Sequence, residues 1–267
     1  MDMINSNNNN YEFIECLKSD CPRSFVYIAR NLTYSNSKHE YVVIKEFKKE
    51  VESSFIFDNR FNIYLPKELY HYNLIGHCNC APIILDCFET ENSFSLIMEY
   101  LTDDWIVLSE YAKTNKNIEN FLKKIFKHLI LILIKLSLSG FYYPDIKPEN
   151  IMINTVSFDV KLIDFEYLVM NPQTKYRYGT LGFNAPETYL YKPYDIKTSI
   201  VFSIGCTLFN CIENRYLFNC KTSIMSMKMS EFKEASLLAE NIIRKCIKYQ
   251  PDDRIKMEHL LYHPWFD

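Results

Sequence analysis

The sequence predicts an α+β fold in which strands come first and long helices follow. Alternating or clustered apolar runs at residues 11–16, 25–30, 41–45, 83–89 and 94–100 fill the first hundred residues. A helical pattern at 118–138 and a second from about 194 lie beyond them. Strands and helices segregated in this way mark α+β rather than alternating α/β. The third observation is polar. Asp145, Lys147 and Asn150 stand at fixed offsets, and Asp164 ends a short strand soon after.

The chain has 267 residues, which suits one large domain or two closely packed lobes, and 48% of them are apolar, enough for a real core. A net charge of −3 gives no electrostatic case for nucleic acid or a membrane surface. Nine cysteines without a regular framework predict free thiols in a reducing, intracellular compartment, cytoplasmic or nuclear. The start reads as no signal peptide, and the apolar run at 129–134 is too short to span a bilayer. The lean toward Asn, Ile, Lys, Tyr and Phe is that of an AT-rich genome, as in many viruses and parasites, where the compartment becomes that of the host cell.

Residues 1–10 are polar and read as a disordered tail. Residues 11–16 and 25–30 read as a hairpin, and the strand at 41–45 ends on Lys45. Residues 46–63 read as a loop. Helical spacing returns at 65–75, with Pro66 near the first turn and Glu68 where a carboxylate favours the helix dipole. His71, His77, Cys78 and Cys80 invite a zinc reading, but no second Cys/His pair stands at zinc-site spacing. Residues 118–138 form the long core helix, with Asn117 as its N-cap and Gly140 as its stop. Pro144 and Pro148 then stiffen a turn that no continuous helix can cross. Short strands at 151–153 and 160–164, side by side, bring Asp145, Lys147, Asn150 and Asp164 onto one site. A carboxylate base, a cation and two oxygen ligands for a hard metal are the parts of phosphoryl transfer.

The stretch Asp145-Ile146-Lys147-Pro148-Glu149-Asn150 resembles the catalytic loop of eukaryotic protein kinases, and Asp164-Phe165 resembles the start of their D-F-G motif. Residues 41–45 resemble V-A-I-K, residues 98–101 the hinge, and residues 179–187 G-T-x-x-Y-x-A-P-E. Residues 194–206 resemble the central helix start, and residues 251–266 the closing helix that ends in H-P-W-F. The resemblance spans residues 11–267. It implies a bilobal kinase-like fold, with a mostly β N-lobe over about 11–100 and a mostly α C-lobe over about 101–267. It implies a Ser/Thr protein kinase that uses ATP and Mg²⁺, with Mn²⁺ as a substitute, on hydroxyls of a protein substrate. By that match Asp145, Lys147 and Thr180 are catalytic, and Asn150 and Asp164 hold the metal. Lys45, paired with Glu68, contacts the phosphates. Val26, Val43, Met98, Glu99, Leu101, Asp104 and Met152 contact the rest of the nucleotide, Asp103 being an equal candidate to Asp104 for the ribose. Glu187 pairs with Arg254.

The departures are as informative. The three glycine slots of the phosphate loop hold Ser19, Cys21 and Ser24, which predicts a poorer grip. Tyr143 and Pro144 replace His and Arg before Asp145. Glu166 replaces the D-F-G glycine and should hinder a backbone flip there. Ile200 and Phe202 replace the Asp and Trp of the central helix. These losses predict a catalytic loop braced by apolar contact, Tyr143 against Ile200. They also predict activity that does not depend on phosphorylation at Thr174, Tyr176 or Tyr178. Control then falls to a regulatory partner or to self-association near residues 65–75. The alternative is a pseudokinase that serves as a partner-binding scaffold or allosteric module.

Overall fold

A computed structural model describes residues 10–18, 24–33, 39–115 and 118–267, the side chains of Lys18 and His77 excepted. The chain divides into two compact units, Met1–Thr102 and Asp103–Asp267. The first is rich in strand and the second in helix, an α+β arrangement.

In the first unit, β1 (Tyr11–Lys18), β2 (Ser24–Asn31) and β3 (Tyr41–Lys48) are antiparallel neighbours. Alternation decides their faces. Tyr27, Ala29, Val42 and Ile44 are buried together as one core cluster, so Val26, Val43 and Lys45 point to the other face. Residues 46–63 are not the loop the sequence predicts. β4 (Phe55–Asp58) and β5 (Ile63–Pro66) form a hairpin. Its turn is tied by Asp58, whose carboxylate accepts from the Arg60 backbone at 2.9 Å and its guanidinium at 2.7 Å. The helix that follows, α1 (Lys67–Ile75), starts later than its periodicity suggests. Leu65 lies in β5, and Pro66 stands at the N-cap. β6 (Ile84–Glu89) and β7 (Ser93–Glu99) complete the five-stranded sheet, order β1-β2-β3-β7-β6.

The second unit opens with β8 (Trp105–Val107), α2 (Leu108–Thr114) and α3 (Glu119–Leu138). α3 buries Leu122, Ile125, Phe126, Leu129, Leu133 and Leu136, the 3–4 spacing of one helical face. Its expected cap, Asn117, lies outside the described residues. Gly140 stops the helix at φ +81°, and Phe141 N–H returns to Leu136 O at 2.9 Å. β9 (Ile151–Asn154) and β10 (Val160–Leu162) pair with β8 in the order β10-β9-β8. Two-residue strands β11 (Gln173–Thr174) and β12 (Tyr194–Asp195) pair further on.

α4 (Ile196–Glu213) is the central core helix, capped by the Asp195 carboxylate on Lys197 N–H at 2.8 Å. It is long and apolar enough to cross a membrane by composition, but 78% of that stretch is buried inside the protein. α5 (Lys221–Met225) and α6 (Leu237–Cys246) follow. α4 and α6 meet at Gly205, where a Cβ would lie 2.7 Å from Cys246 Cβ and 2.9 Å from Ile247 Cγ2, so only glycine allows this approach. The closing segment is not one helix. α7 (Met257–Leu260) has four residues and sits between single 3-10 turns at Pro251–Asp253 and Pro264–Phe266, because Pro251 and Pro264 each restart the chain. Trp265 is fully buried there, its indole N–H on Glu119 Oε1 at 2.8 Å and its ring edge-on to Phe126.

Candidate active site

The loop before β9 is built by local pairing. Tyr142 and Val169 exchange backbone hydrogen bonds at 2.8 and 2.9 Å, which closes the loop at its start. Pro148 opens a 3-10 turn that ends at Asn150. The β9–β10 ladder pairs Ile151 with Leu162, and Ile163 N–H donates to Asn150 O at 3.0 Å. That ladder carries Asn150 and Asp164 to the same end of two adjacent strands. Asp164 itself sits at φ +65°, a left-handed backbone for a residue with a side chain. Phe165–Tyr167 then form a 3-10 turn, and Glu166 takes no positive φ, so no glycine is needed at its position.

The Asp145 carboxylate is the centre. Thr180 Oγ1 donates to its Oδ1 at 2.7 Å, and Asn150 Nδ2 donates to its Oδ2 at 2.8 Å and to its carbonyl at 3.1 Å. Lys147 Nζ lies 2.9 Å from Oδ2 and donates to Thr180 Oγ1 at 2.7 Å. Asp145 and Asn150 are buried, whereas Lys147 is half-buried. An ionised carboxylate accepts hydrogen bonds only, so three donors fix its orientation without taking all its lone pairs. Asn150 spends its amide nitrogen on Asp145, and its Oδ1 is left as an oxygen donor beside Asp164. Two hard oxygens fit a magnesium ion that draws its other ligands from water and phosphate. Among the described residues no group of three or more His, Cys, Asp or Glu could enclose a metal.

The loop is braced by polar bonds as well as packing, which corrects the purely apolar expectation. Tyr143 is buried, and its hydroxyl donates to Ile163 O at 2.5 Å while its ring packs on Phe165 at 5.0 Å. Thr207 of α4 sets its hydroxyl between Ile146 O at 3.0 Å and Ser203 O at 2.7 Å. Ser203, one turn earlier, bonds Phe183 O at 2.9 Å. Ile200 is buried on the same helix. Sequence reasoning missed Tyr143 as a donor and missed Thr207, although Thr207 lies on the face of Ser203 four residues away.

The segment after Asp164 is held extended. Thr174 pairs with Tyr194, Ile196 N–H donates to Pro172 O at 2.8 Å, and Tyr194 hydroxyl donates to Tyr176 O at 2.7 Å. Burial, then the nearby Glu187 carboxylate and Tyr178, push the Tyr194 phenol up, so it stays a donor. Thr174 is buried, Tyr178 is half-buried and Tyr176 is exposed. Glu187 and Arg254 form a two-pronged ion pair at 2.6 and 2.7 Å, both buried.

In the first unit Lys45 Nζ and the buried Glu68 carboxylate form an ion pair. Directly opposed ladder partners share a face, and Val26 stands opposite Lys45, as Met98 stands opposite Val43. The same registers add Ile28 and Leu96, which the sequence reading did not single out. Glu99 ends β7, its carboxylate accepting from Ile83 N–H at 2.9 Å; Leu101 follows outside the strand. Ser24 is buried at the start of β2, while Ser19 and Cys21 lie outside the described residues. In the second unit, Asp103 and Asp104 are exposed, and Asp104 O accepts from Thr155 N–H at 2.8 Å. Met152 is half-buried on β9 opposite Val107 and Lys161.

Comparison with known proteins agrees with this geometry. The protein kinase domain model matches residues 27–266. The chain is 31% identical over 189 residues to serine/threonine-protein kinase pim-2 of Danio rerio, covering 68% of this chain and 60% of that protein. It is 31% identical over 196 residues to serine/threonine-protein kinase 1 of African swine fever virus, strain Badajoz 1971 Vero-adapted, covering 70% and 64%. It is 28% identical over 260 residues to a probable serine/threonine-protein kinase 2 of Plasmodium falciparum, covering 91% of this chain and 48% of that one. The chain belongs to the protein kinase domain family. It matches about half to two thirds of the length of these relatives.

Proposed function

We propose that this chain is an ATP-dependent Ser/Thr protein kinase that transfers the γ-phosphate to protein hydroxyls inside the cell. The observation that carries the reading is the Asp145–Lys147–Thr180–Asn150 network. In it the Asp145 carboxylate orients the acceptor hydroxyl and takes its proton, with Thr180 and Asn150 keeping the carboxylate aimed. Lys147 places positive charge where negative charge spreads over the transferring group. Asn150 Oδ1 and the Asp164 carboxylate are the ligands for Mg²⁺ or Mn²⁺, which supplies charge neutralisation at the phosphates when bound. Lys45, oriented by Glu68, contacts the nearer phosphates, and Val26, Val43 and Met98 form an apolar face for adenine. Ser19, Cys21 and Ser24 stand in the family's glycine positions, which weakens the grip on the phosphates. The β11–β12 pairing and the Tyr194 bond support an activation segment that needs no phosphate to be ordered.

The test is transfer of labelled phosphate from ATP to a generic protein substrate with Mg²⁺ and with Mn²⁺. Wild type should incorporate label, and Asp145→Asn and Lys45→Met should lose it by about a thousand-fold or more, the scale of losing a transition-state group. Wild type indistinguishable from both variants with either metal would leave a pseudokinase scaffold as the reading. Full activity after phosphatase treatment is expected.

A further inference from the structure

We propose that the substrate-facing surface of the second unit selects acceptors flanked by an anionic side chain, a carboxylate or a phosphate, an inference that rests on the protein-kinase reading. No Asp or Glu lies between Glu166 and Glu187, and between Glu187 and Glu231 there are only Asp195 and Glu213. All three of these carboxylates are occupied. Glu187 is buried on Arg254, Asp195 caps α4, and Glu213 accepts from Arg215 and from the backbone of Lys233 and Glu234.

The exposed charge left between residues 167 and 230 is positive, while the loop of Asp145 carries one exposed carboxylate, Glu149. The Arg177 guanidinium and the Lys221 ammonium each stand 5.4 Å from the ring of one tyrosine, Tyr189. Both side chains are exposed, and among the described residues neither has a carboxylate partner. Lys175, exposed beside them in the chain, lies over Tyr176. Two unneutralised cations on one buried ring make a local positive potential inside a chain whose net charge is −3. Arg177 precedes Thr180 by three residues, about 10 Å of chain at most. Thr180 touches Asp145 at 2.7 Å, where the acceptor hydroxyl must sit. An extended peptide advances about 3.3 Å per residue, so anions one to three positions from the acceptor come within reach of these cations. Burial raises the Tyr189 phenol and the Arg177 charge acts against that rise, as expected for a guanidinium held close to it.

The experiment uses the full chain and peptides that differ only in the residues flanking one serine: Asp and Glu, phosphoserine, Ala, or Lys. The anionic peptides should show KM values lower than the Ala peptide by about five-fold per charge, with kcat and the KM for ATP unchanged. The ratio of the phosphoserine to the Asp peptide tells a primed substrate from an acidic one. Arg177→Glu with Lys221→Glu should invert the ranking toward the Lys peptide. Equal KM values across the set, or a ranking unmoved by the charge reversal, overturns the proposal and leaves the kinase reading intact. If no peptide is phosphorylated the kinase reading falls. Fluorescence anisotropy with the same peptides then decides: selective binding of the anionic ones, abolished by the charge reversal, supports the proposal, and unselective binding overturns it.

Discussion

Tyr143 replaces a residue type that the family uses for polar support, and it restores that support by another route. Its hydroxyl reaches the carbonyl of Ile163, directly before Asp164, and its ring packs on Phe165. One side chain therefore ties the loop of Asp145 to the strand end that bears Asp164. Tyr143→Phe keeps the ring and loses the bond. It should lower stability by about 1 kcal/mol, a fall in Tm of about 2–4 °C by thermal melt. An unchanged Tm would mean that the hydroxyl contributes nothing. Asp164, in the left-handed region, carries backbone strain of about 1–3 kcal/mol that its neighbours must offset. Neither effect is legible in the sequence. The Tyr143 bond spans 20 residues, and the Thr207 bond to Ile146 spans 61.

At the scale of elements, α4 works as the post to which the others are fastened. Thr207 and Ser203 reach the Asp145 loop and the 179–187 segment, Gly205 admits α6, and Thr198 O accepts from Arg254. Arg254 also bonds Lys248 O and Tyr249 O, so its charge is fully engaged in a dry site. Glu187→Ala should leave that guanidinium unpaired and cost about 3–5 kcal/mol, read as an equilibrium unfolding midpoint shift. A cost under about 1 kcal/mol would show that the carbonyls alone hold Arg254. Most elements were predicted within two residues, because their apolar period is imposed by burial. The β4–β5 hairpin was not. Phe57 and Tyr64 pack on each other at 5.0 Å while both stay exposed, so no one-sided burial writes an alternation into the sequence.

At the scale of the whole molecule, the cysteines divide by environment. Cys206, Cys211 and Cys246 are buried, and burial pushes their thiols up, that of Cys246 to about 12. Cys87 is exposed, yet burial of its thiol and then Asp86 raise it. Cys220 goes the other way. Hydrogen bonds from the Thr222 hydroxyl first, then from the Ser223 backbone N–H, lower its thiol to about 7. A thiol alkylates as its thiolate, so in a Cys21→Ser background iodoacetamide at pH 7 should label Cys220 ahead of Cys87 and leave Cys206, Cys211 and Cys246 unlabelled. The Cys220 rate should climb between pH 6 and 8, with that of Cys87 climbing only above it. Mass mapping of equal labelling at Cys206 would show that α4 opens readily.

The sequence by itself determined the α+β layout, the family, and the identity of the polar groups around Asp145. The polar residues from Asp145 to Asn150, and Asp164, stand in a fixed order along the chain because a short turn and a two-strand ladder set their positions. Only the tertiary structure decided how the loop is braced, which hydroxyls near Thr174 are accessible, and where unpaired charge gathers. Those properties belong to pairs such as Tyr143 with Ile163, or Arg177 and Lys221 over Tyr189. Their partners lie far apart along the chain, and their energies depend on burial and distance, which no local pattern of residues records.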